Sequence, residues 1–331
     1  MIDRNDIFIV RVKAAMITKS VEYARKSLHY TFNRMGKGNI YARIRNIVSG
    51  VIMENAFKRL LDYHNVSYEL LGNTHWTKKD KYDVGVRGDR CDIKGFFIGN
   101  SEKSKKLKKD KGWLLDCSAL VPVDQIDSRT LKNNDKYVFP FLTGRYIGNN
   151  QGVNSLFTEP EKKYLVHIFK DYSWIRSSDF RTLGKIVVES KMRDKIQIVI
   201  GGQDKSRELI VEEILMMPMS KQKTNIEFYT LLFVQTDDRP TGELIIESHE
   251  LNKKEIIEDF NWENIWLYDG LVYFTGYMNK GEFKEKSKYS PRFSKDIKQY
   301  FQTRTNNRKI QIQSLHSLRE ILPHDCDLYV P

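Results

Sequence analysis

Tyr82-Asp83-Val84-Gly85-Val86-Arg87-Gly88-Asp89-Arg90-Cys91-Asp92-Ile93-Lys94-Gly95 reads as two short strands joined at Arg87-Gly88. Glycine at the second turn position tolerates φ > 0, as a two-residue hairpin turn requires. That turn fixes the register: 86 faces 89, 85 faces 90, 84 faces 91 and 83 faces 92. Asp83 then lies opposite Asp92, with Cα atoms about 4.5–5.5 Å apart and both side chains on one face. Lys94, two residues further on, shares that face. Hard oxygen ligands this close together suit Mg²⁺. A lysine beside them can orient or deprotonate a metal-bound water, or neutralise charge in a transition state.

Upstream, Tyr41 to Tyr63 reads as a helix with an apolar stripe of Ile47, Val51, Phe57 and Leu61. Glu54 falls three residues from both Val51 and Phe57, on the stripe itself. A carboxylate there is costly unless it meets a cation or metal. The alternative is an edge position from which the carboxylate reaches water.

Asp83 followed by Asp92-Ile93-Lys94 resembles the PD-(D/E)xK nuclease superfamily, which includes most type II restriction endonucleases. Tyr82 stands where the family's first acid often follows proline. The resemblance implies an α/β fold, a mixed central sheet flanked by helices (a restriction-endonuclease-like core). It implies Mg²⁺ held by Asp83, Asp92, Glu54 and the Ile93 backbone carbonyl. Glu54, about 30 residues upstream of Asp83, matches the acid that a helix before the hairpin often supplies. Asp83, Asp92, Lys94 and Glu54 are the implied catalytic residues. A rival acid-x-Lys occurs at Glu189-Ser190-Lys191, after the β-like run Ile186-Val187-Val188. The other alternative is a salt-bridged hairpin face. An exposed pair of that kind contributes only about 0–1 kcal/mol and leaves Glu54 without a reason.

The chain of 331 residues is long enough for one large domain or two modest ones, and 40% hydrophobic residues can bury a core. Lys and Arg number 55 against 43 Asp and Glu, a net charge of +12 that favours polyanions. The bland alternative is general solubility. Three cysteines with no CxxC support neither a disulfide framework nor a zinc ribbon, and a reducing cytoplasm fits. No apolar run approaches a membrane span, and the N-terminus does not read as a signal peptide.

Taken in order, Val10 to Met35 reads as a basic helix ended by Gly36 and Gly38. Its charge suits either a DNA-contacting arm or a solvated face. Val66–Leu71 reads as a strand, and Lys78, Lys79 and Lys81 lead into the hairpin. Gly95–Gly99 continues the hairpin's second strand as a buried run. Residues 101–111 carry six lysines and read as a solvated loop that could also wrap phosphates, with Lys105, Lys106, Lys108 and Lys109 as candidate nucleic-acid contacts. A short helix and a turn at Pro122 are expected over Trp113–Ile126. Asp135–Gly144 reads as a strand that Pro140 marks as an edge or bulge.

From about 148 the pattern changes. Runs 164–169, 185–188, 196–202, 228–234 and 244–247 read as strands, and Glu208–Met217 as a helix. Ile265–Met278 reads as a hairpin around Asp269-Gly270. Gly276-Tyr277-Met278-Asn279-Lys280-Gly281-Glu282-Phe283 and Ile310–Leu315 resemble segments late in several of these nucleases. The expected layout is a nuclease core in two parts, 1–147 and 255–331. Between them, 148–254 forms an inserted β-rich module for target recognition or dimer contact. Between 284 and 308, basic residues that include Arg292 and Arg304 interleave with Tyr289, Phe293, Tyr300 and Phe301. That mixture suits a nucleic-acid surface or a solvated helix.

The expected function is Mg²⁺-dependent hydrolysis of phosphodiester bonds in duplex DNA by a site-specific type II restriction endonuclease. Palindromic sites imply a homodimer. The alternatives are a non-catalytic DNA-binding or modification-sensing protein on the same fold, and a repair or phage-defence nuclease. No P-loop, GxGxxG or GxSxG is present, so no nucleotide cofactor is expected. The seven histidines form no HxH or HxxxH pair.

Overall fold

The computed structural model describes residues 1–32, 39–71, 82–127, 130–148, 163–175, 181–323 and 327–331, without the side chains of 28–32. The expected helix end at Gly36 and Gly38, the lead-in lysines 78, 79 and 81, and residues 149–152, where the sequence pattern changes, lie outside these residues. The chain divides into two compact units. One comprises Met1–Tyr23, Asn46–Arg145 and Tyr268–Pro331; the other comprises Ala24–Arg45 and Tyr146–Leu267. Residues 24–45 and 255–267 thus belong to the second unit.

The chain opens with β1 (Phe8–Arg11), α1 (Ala14–Phe32), α2 (Ile40–Tyr63) and β2 (Tyr68–Glu69). The hairpin strands are β3 (Val84–Val86) and β4 (Asp89–Ile93), followed by β5 (Phe96–Ile98) and α3 (Ser101–Lys109). A 3-10 turn at Lys111–Asp116 leads to β6 (Ser118–Pro122), α4 (Val123–Ile126) and β7 (Lys136–Tyr146). The second unit contributes β8 (Leu165–Ile168), α5 (Tyr172–Ile175), β9 (Gly184–Ser190), β10 (Ile196–Gln203), β11 (Leu209–Met216), β12 (Lys221–Phe228) and β13 (Thr230–Thr236). It ends with β14 (Leu244–Ser248), β15 (Lys253–Ile257) and β16 (Glu263–Asn264). Then come β17 (Leu267–Asn279), α6 (Lys280–Lys286), β18 (Lys288–Ser290), β19 (Asn307–Gln311) and β20 (Tyr329–Val330).

The first unit is mixed α/β. Its eight-stranded sheet runs β2-β3-β4-β7-β17-β1-β20, with β5 also beside β7. β4 and β5 pair with β7 in parallel, while β1 is antiparallel to β17. A three-stranded sheet, β18-β19-β6, accompanies it. Adjacent residues of β17 serve opposite faces. Phe274 meets Phe57 of α2, ring centroids 5.6 Å apart, while Tyr273 joins the core that holds Phe139, Phe141 and Phe283. On α2 the buried stripe is Ile44, Val48, Ile52, Ala56 and Leu60, with Phe57 and Leu61 beside it. Ile47, Val51 and Glu54 lie half-buried along its edge.

Several sequence expectations are corrected. Residues 8–11 are a strand, because β-branched Ile9 and Val10 find a partner in β17. Lysine-rich 101–109 is a helix. Asn100 caps it by accepting from the Lys103 amide (2.9 Å), Leu107 anchors it in the core, and lysines in the last turn oppose the helix dipole. Residues 209–216 form a strand paired over its whole length with β10, although Glu212 and Glu213 favour a helix. β17 is one long strand. Asp269 has φ 54° and interrupts its regularity without turning the chain back.

Pro140 lies in the middle of the sheet. The pairings Ile93↔Val138 and Phe96↔Phe141 share one offset, which places Pro140 opposite Gly95. Proline has no N–H to donate, and β4 gives way to β5 at this point, at Lys94-Gly95. The neighbouring Phe139 carbonyl accepts from the Thr275 hydroxyl of β17 at 2.7 Å.

The second unit carries a five-stranded sheet, β11-β10-β13-β8-β16, and a four-stranded sheet, β12-β9-β14-β15. Among the described residues, no helix is long and apolar enough to cross a membrane.

Candidate active site

Arg87 (φ 52°) and Gly88 (φ 86°) both have positive φ, the geometry of a tight hairpin turn whose twist matches the strands. The ladder then follows the expected register, Val86↔Asp89, Gly85↔Arg90 and Val84↔Cys91. The expected pairing of 83 with 92 does not follow, because the ladder stops at Val84↔Cys91. Instead the Asp83 amide turns to the Cys91 carbonyl (3.0 Å), and the Ile93 amide donates to Asp83 Oδ2 at 2.6 Å. The Asp83 side chain thus closes the open end of the hairpin. One residue on, the Lys94 amide donates to the Val138 carbonyl at 2.8 Å, and Lys94 Nζ lies 2.6 Å from Asp92 Oδ2. Asp92 and Lys94 are 22% and 15% exposed, so the pair is reachable yet sheltered.

Gly95 brings α2 against this strand. A Cβ at Gly95 would collide with the side chain of Met53. Glu54 follows Met53 and, with Asp92, acts on Asp83. Burial first, then the negative charges of Glu54 and Asp92, push the Asp83 carboxyl well above its usual range, against the Ile93 hydrogen bond and the Lys94 charge. Three carboxylates from two elements therefore share one electrostatic neighbourhood, with one ammonium paired to one of them.

No family model, curated protein or solved structure matches this chain. Among the described residues, no three His, Cys, Asp or Glu side chains stand ready as a metal-binding group. In this structure Asp92 faces Lys94 and Asp83 faces the Ile93 amide. By the chemistry of its donors the set fits a hard divalent cation: all oxygen, all acidic, and mutually repulsive without one.

The rival Glu189 lies on β9 in the second unit, and its surroundings are opposite in sign. It pairs with Lys191 and lies 3.8 Å from Lys221, and the Lys191 hydrogen bond holds its carboxyl below the usual range. Glu189 is thus satisfied by cations where Asp83 is crowded by anions.

Sequence reading missed two neighbours of Asp92. Tyr137 is its register partner on β7, and Lys94 Nζ lies 5.8 Å from the Tyr137 ring centroid. The Tyr137 hydroxyl is buried, without a hydrogen-bond partner among the described residues, and burial followed by the Asp92 charge pushes it up. Lys280, at the start of α6, is buried and donates to the Leu131 carbonyl at 3.0 Å. Burial and the charge of Lys284 hold its ammonium below the usual range, against Asp127, Asp135 and Asp92. For Tyr137, the parallel pairing of β4 with β7 was the missing signal. Of the candidate nucleic-acid contacts, Lys105, Lys106, Lys108 and Lys109 are exposed on α3, and Arg292 and Arg304 are exposed on the segment after β18.

Proposed function

We propose that the first unit is a Mg²⁺-dependent endodeoxyribonuclease with a restriction-endonuclease-like core, cutting duplex DNA at specific sites in the manner of a type II restriction enzyme. The observation that carries this reading is the Asp83 neighbourhood. Asp83, Asp92 and Glu54 repel one another at a cost to the fold, and a cluster of this kind is most often kept for chemistry. Asp83, Asp92 and Glu54 would hold the cation, with the Ile93 carbonyl as a further oxygen. When bound, Mg²⁺ supplies Lewis-acid stabilisation of charge on the scissile phosphate.

The chain's own residues do the rest. The Ile93 amide fixes the rotamer of Asp83. Met53 against Gly95 fixes the approach of Glu54. Lys94, next to Asp92, orients the attacking water and offsets negative charge on the phosphate. Exposed lysines of α3 and the net positive charge supply phosphate contacts that position the duplex. The second unit is assigned target recognition or subunit contact. Cleavage of palindromic sites calls for a homodimer acting in the cytoplasm.

The test is cleavage of plasmid and phage DNA with and without Mg²⁺, comparing wild type with Asp92→Ala and Lys94→Ala and measuring DNA binding in parallel. Discrete fragments from wild type, lost in both variants while binding persists, are expected. A smear keeps the nuclease and removes site specificity. Cleavage that survives both substitutions removes the hairpin assignment. Salt-sensitive binding without any cleavage leaves a DNA-binding protein on this fold.

A further inference from the structure

The segment from Pro291 to Asn306 is built in two halves. Its inner half is fastened to the first unit. Gln299 is 3% exposed, accepts from the Ser118 amide (3.2 Å) and donates to the Ser118 carbonyl (2.6 Å). Ile297 is buried in the core, and Tyr300 meets Phe96 of β5 edge-on, ring centroids 6.2 Å apart. Lys103 of α3 reaches the carbonyls of Lys298 and Gln299 at 3.0 and 3.2 Å. The segment is therefore anchored to the strand that begins two residues after Lys94 and to the lysine-bearing helix that follows it.

The outer half exposes what proteins ordinarily hide. Phe301 is 79% exposed, Phe293 54% and, just upstream, Tyr289 58%. Phe293 also has φ 67°, a left-handed conformation that a bulky aromatic rarely adopts. A clamp enforces it: the Phe293 amide donates to the Thr303 carbonyl, and the Thr303 amide to the Ser294 carbonyl, both at 2.9 Å. The Thr303 hydroxyl donates to the Pro291 carbonyl at 2.8 Å. Backbone strain of this kind, held by its surroundings, marks functional positions. Each ring carries a cation, Arg292 at 4.5 Å from the Phe293 centroid and Lys295 at 5.9 Å from that of Phe301. Asp296, the acid within the segment, pairs with Lys309 and the Ser294 hydroxyl. Exposed aromatic rings, each with a cation beside it, complement a base with its phosphates.

We propose that this segment is a base-stacking wedge: Phe293 and Phe301 enter an opened base step of duplex DNA while Arg292, Lys295 and Arg304 hold the flanking phosphates. The proposal rests on the reading of the first unit as a DNA-cutting module and adds that the DNA is unstacked near the site of cutting.

The test uses the full chain without Mg²⁺ and two 30-base-pair duplexes, one fully paired and one with a central mismatch flanked by 2-aminopurine. Inserting a wedge costs unstacking energy that a mismatch has partly removed, so wild type should bind the mismatched duplex about tenfold more tightly and raise 2-aminopurine emission. The double variant Phe293→Ala/Phe301→Ala should bind both duplexes equally with no emission change. Both side chains are exposed, so circular dichroism should match wild type. Tyr172→Ala, an exposed aromatic in the second unit, should keep the preference. A wild type without mismatch preference, or a double variant that retains it, overturns the wedge. Binding to phosphatidylserine vesicles that the double variant loses, with duplex binding unchanged, overturns it in favour of a membrane contact. Mg²⁺-dependent nicking by wild type is scored separately: its absence beside an intact mismatch preference removes the nuclease and keeps the wedge.

Discussion

Asp83 sets the terms at the residue scale. In the window between the ordinary carboxyl range and its raised folded value, the native protein holds a proton that the unfolded chain has released. Stability therefore falls as pH rises through that window. Asp83→Asn keeps an oxygen for the Ile93 amide and removes the repulsion from Glu54 and Asp92. The variant should be more stable than wild type at neutral pH in a chelator, by a few degrees in Tm, and should lose the downward slope with pH. Mg²⁺-dependent cleavage should disappear with it. Urea denaturation of both proteins across a pH series checks this, and parallel curves would remove the claim. The hairpin register from 84 to 91 was legible here because the turn residues fix a two-residue hairpin. The exchange of the Ile93 amide from a backbone carbonyl to Asp83 was not legible, since it depends on where the ladder ends.

Between elements, the packing of Gly95 against Met53 decides how closely α2 approaches the hairpin. Gly95→Ala should destabilise by about 1–3 kcal/mol through overpacking. Met53→Ala should cost about 2–5 kcal/mol, as buried Met→Ala changes do. In the double variant the two losses should fall short of their sum, because each change makes room for the other; strict additivity would mean that the two residues are not tightly packed. Cleavage should drop in Gly95→Ala and recover in part in the double variant. On α3, replacing Lys105, Lys106, Lys108 and Lys109 by Ala should flatten the salt dependence of duplex binding by about 0.9 in log–log slope for each phosphate no longer neutralised. An unchanged slope would make α3 a solvated face. The elements misread from sequence do not all share a cause. Five lysines hid a helix whose single buried Leu107 anchors it. Glu212 and Glu213 lent helical character to a strand fixed by β10. Asp269-Gly270 imitated a hairpin turn inside a strand straightened by its neighbours, and Pro140 imitated an edge. In the three strands, tertiary pairing outweighed local preference.

For the whole molecule, the candidate site residues and the fold that holds them are distributed differently. Fragment 1–147 contains Glu54, Asp83, Asp92 and Lys94 but lacks β17, the strand between β7 and β1. It should show no cooperative unfolding by circular dichroism and no Mg²⁺-dependent cleavage; a folded, active fragment would contradict the sheet order. The pairing of β1 also carries a consequence in time. Phe8–Arg11 is made early, yet its sheet partner Leu267–Asn279 leaves the ribosome only after the entire second unit. At about 5–20 residues per second that wait is on the order of tens of seconds. The growing chain therefore displays all four site residues long before the sheet beneath them can close. On the nuclease reading proposed above, the protein stays harmless while it is still a nascent chain.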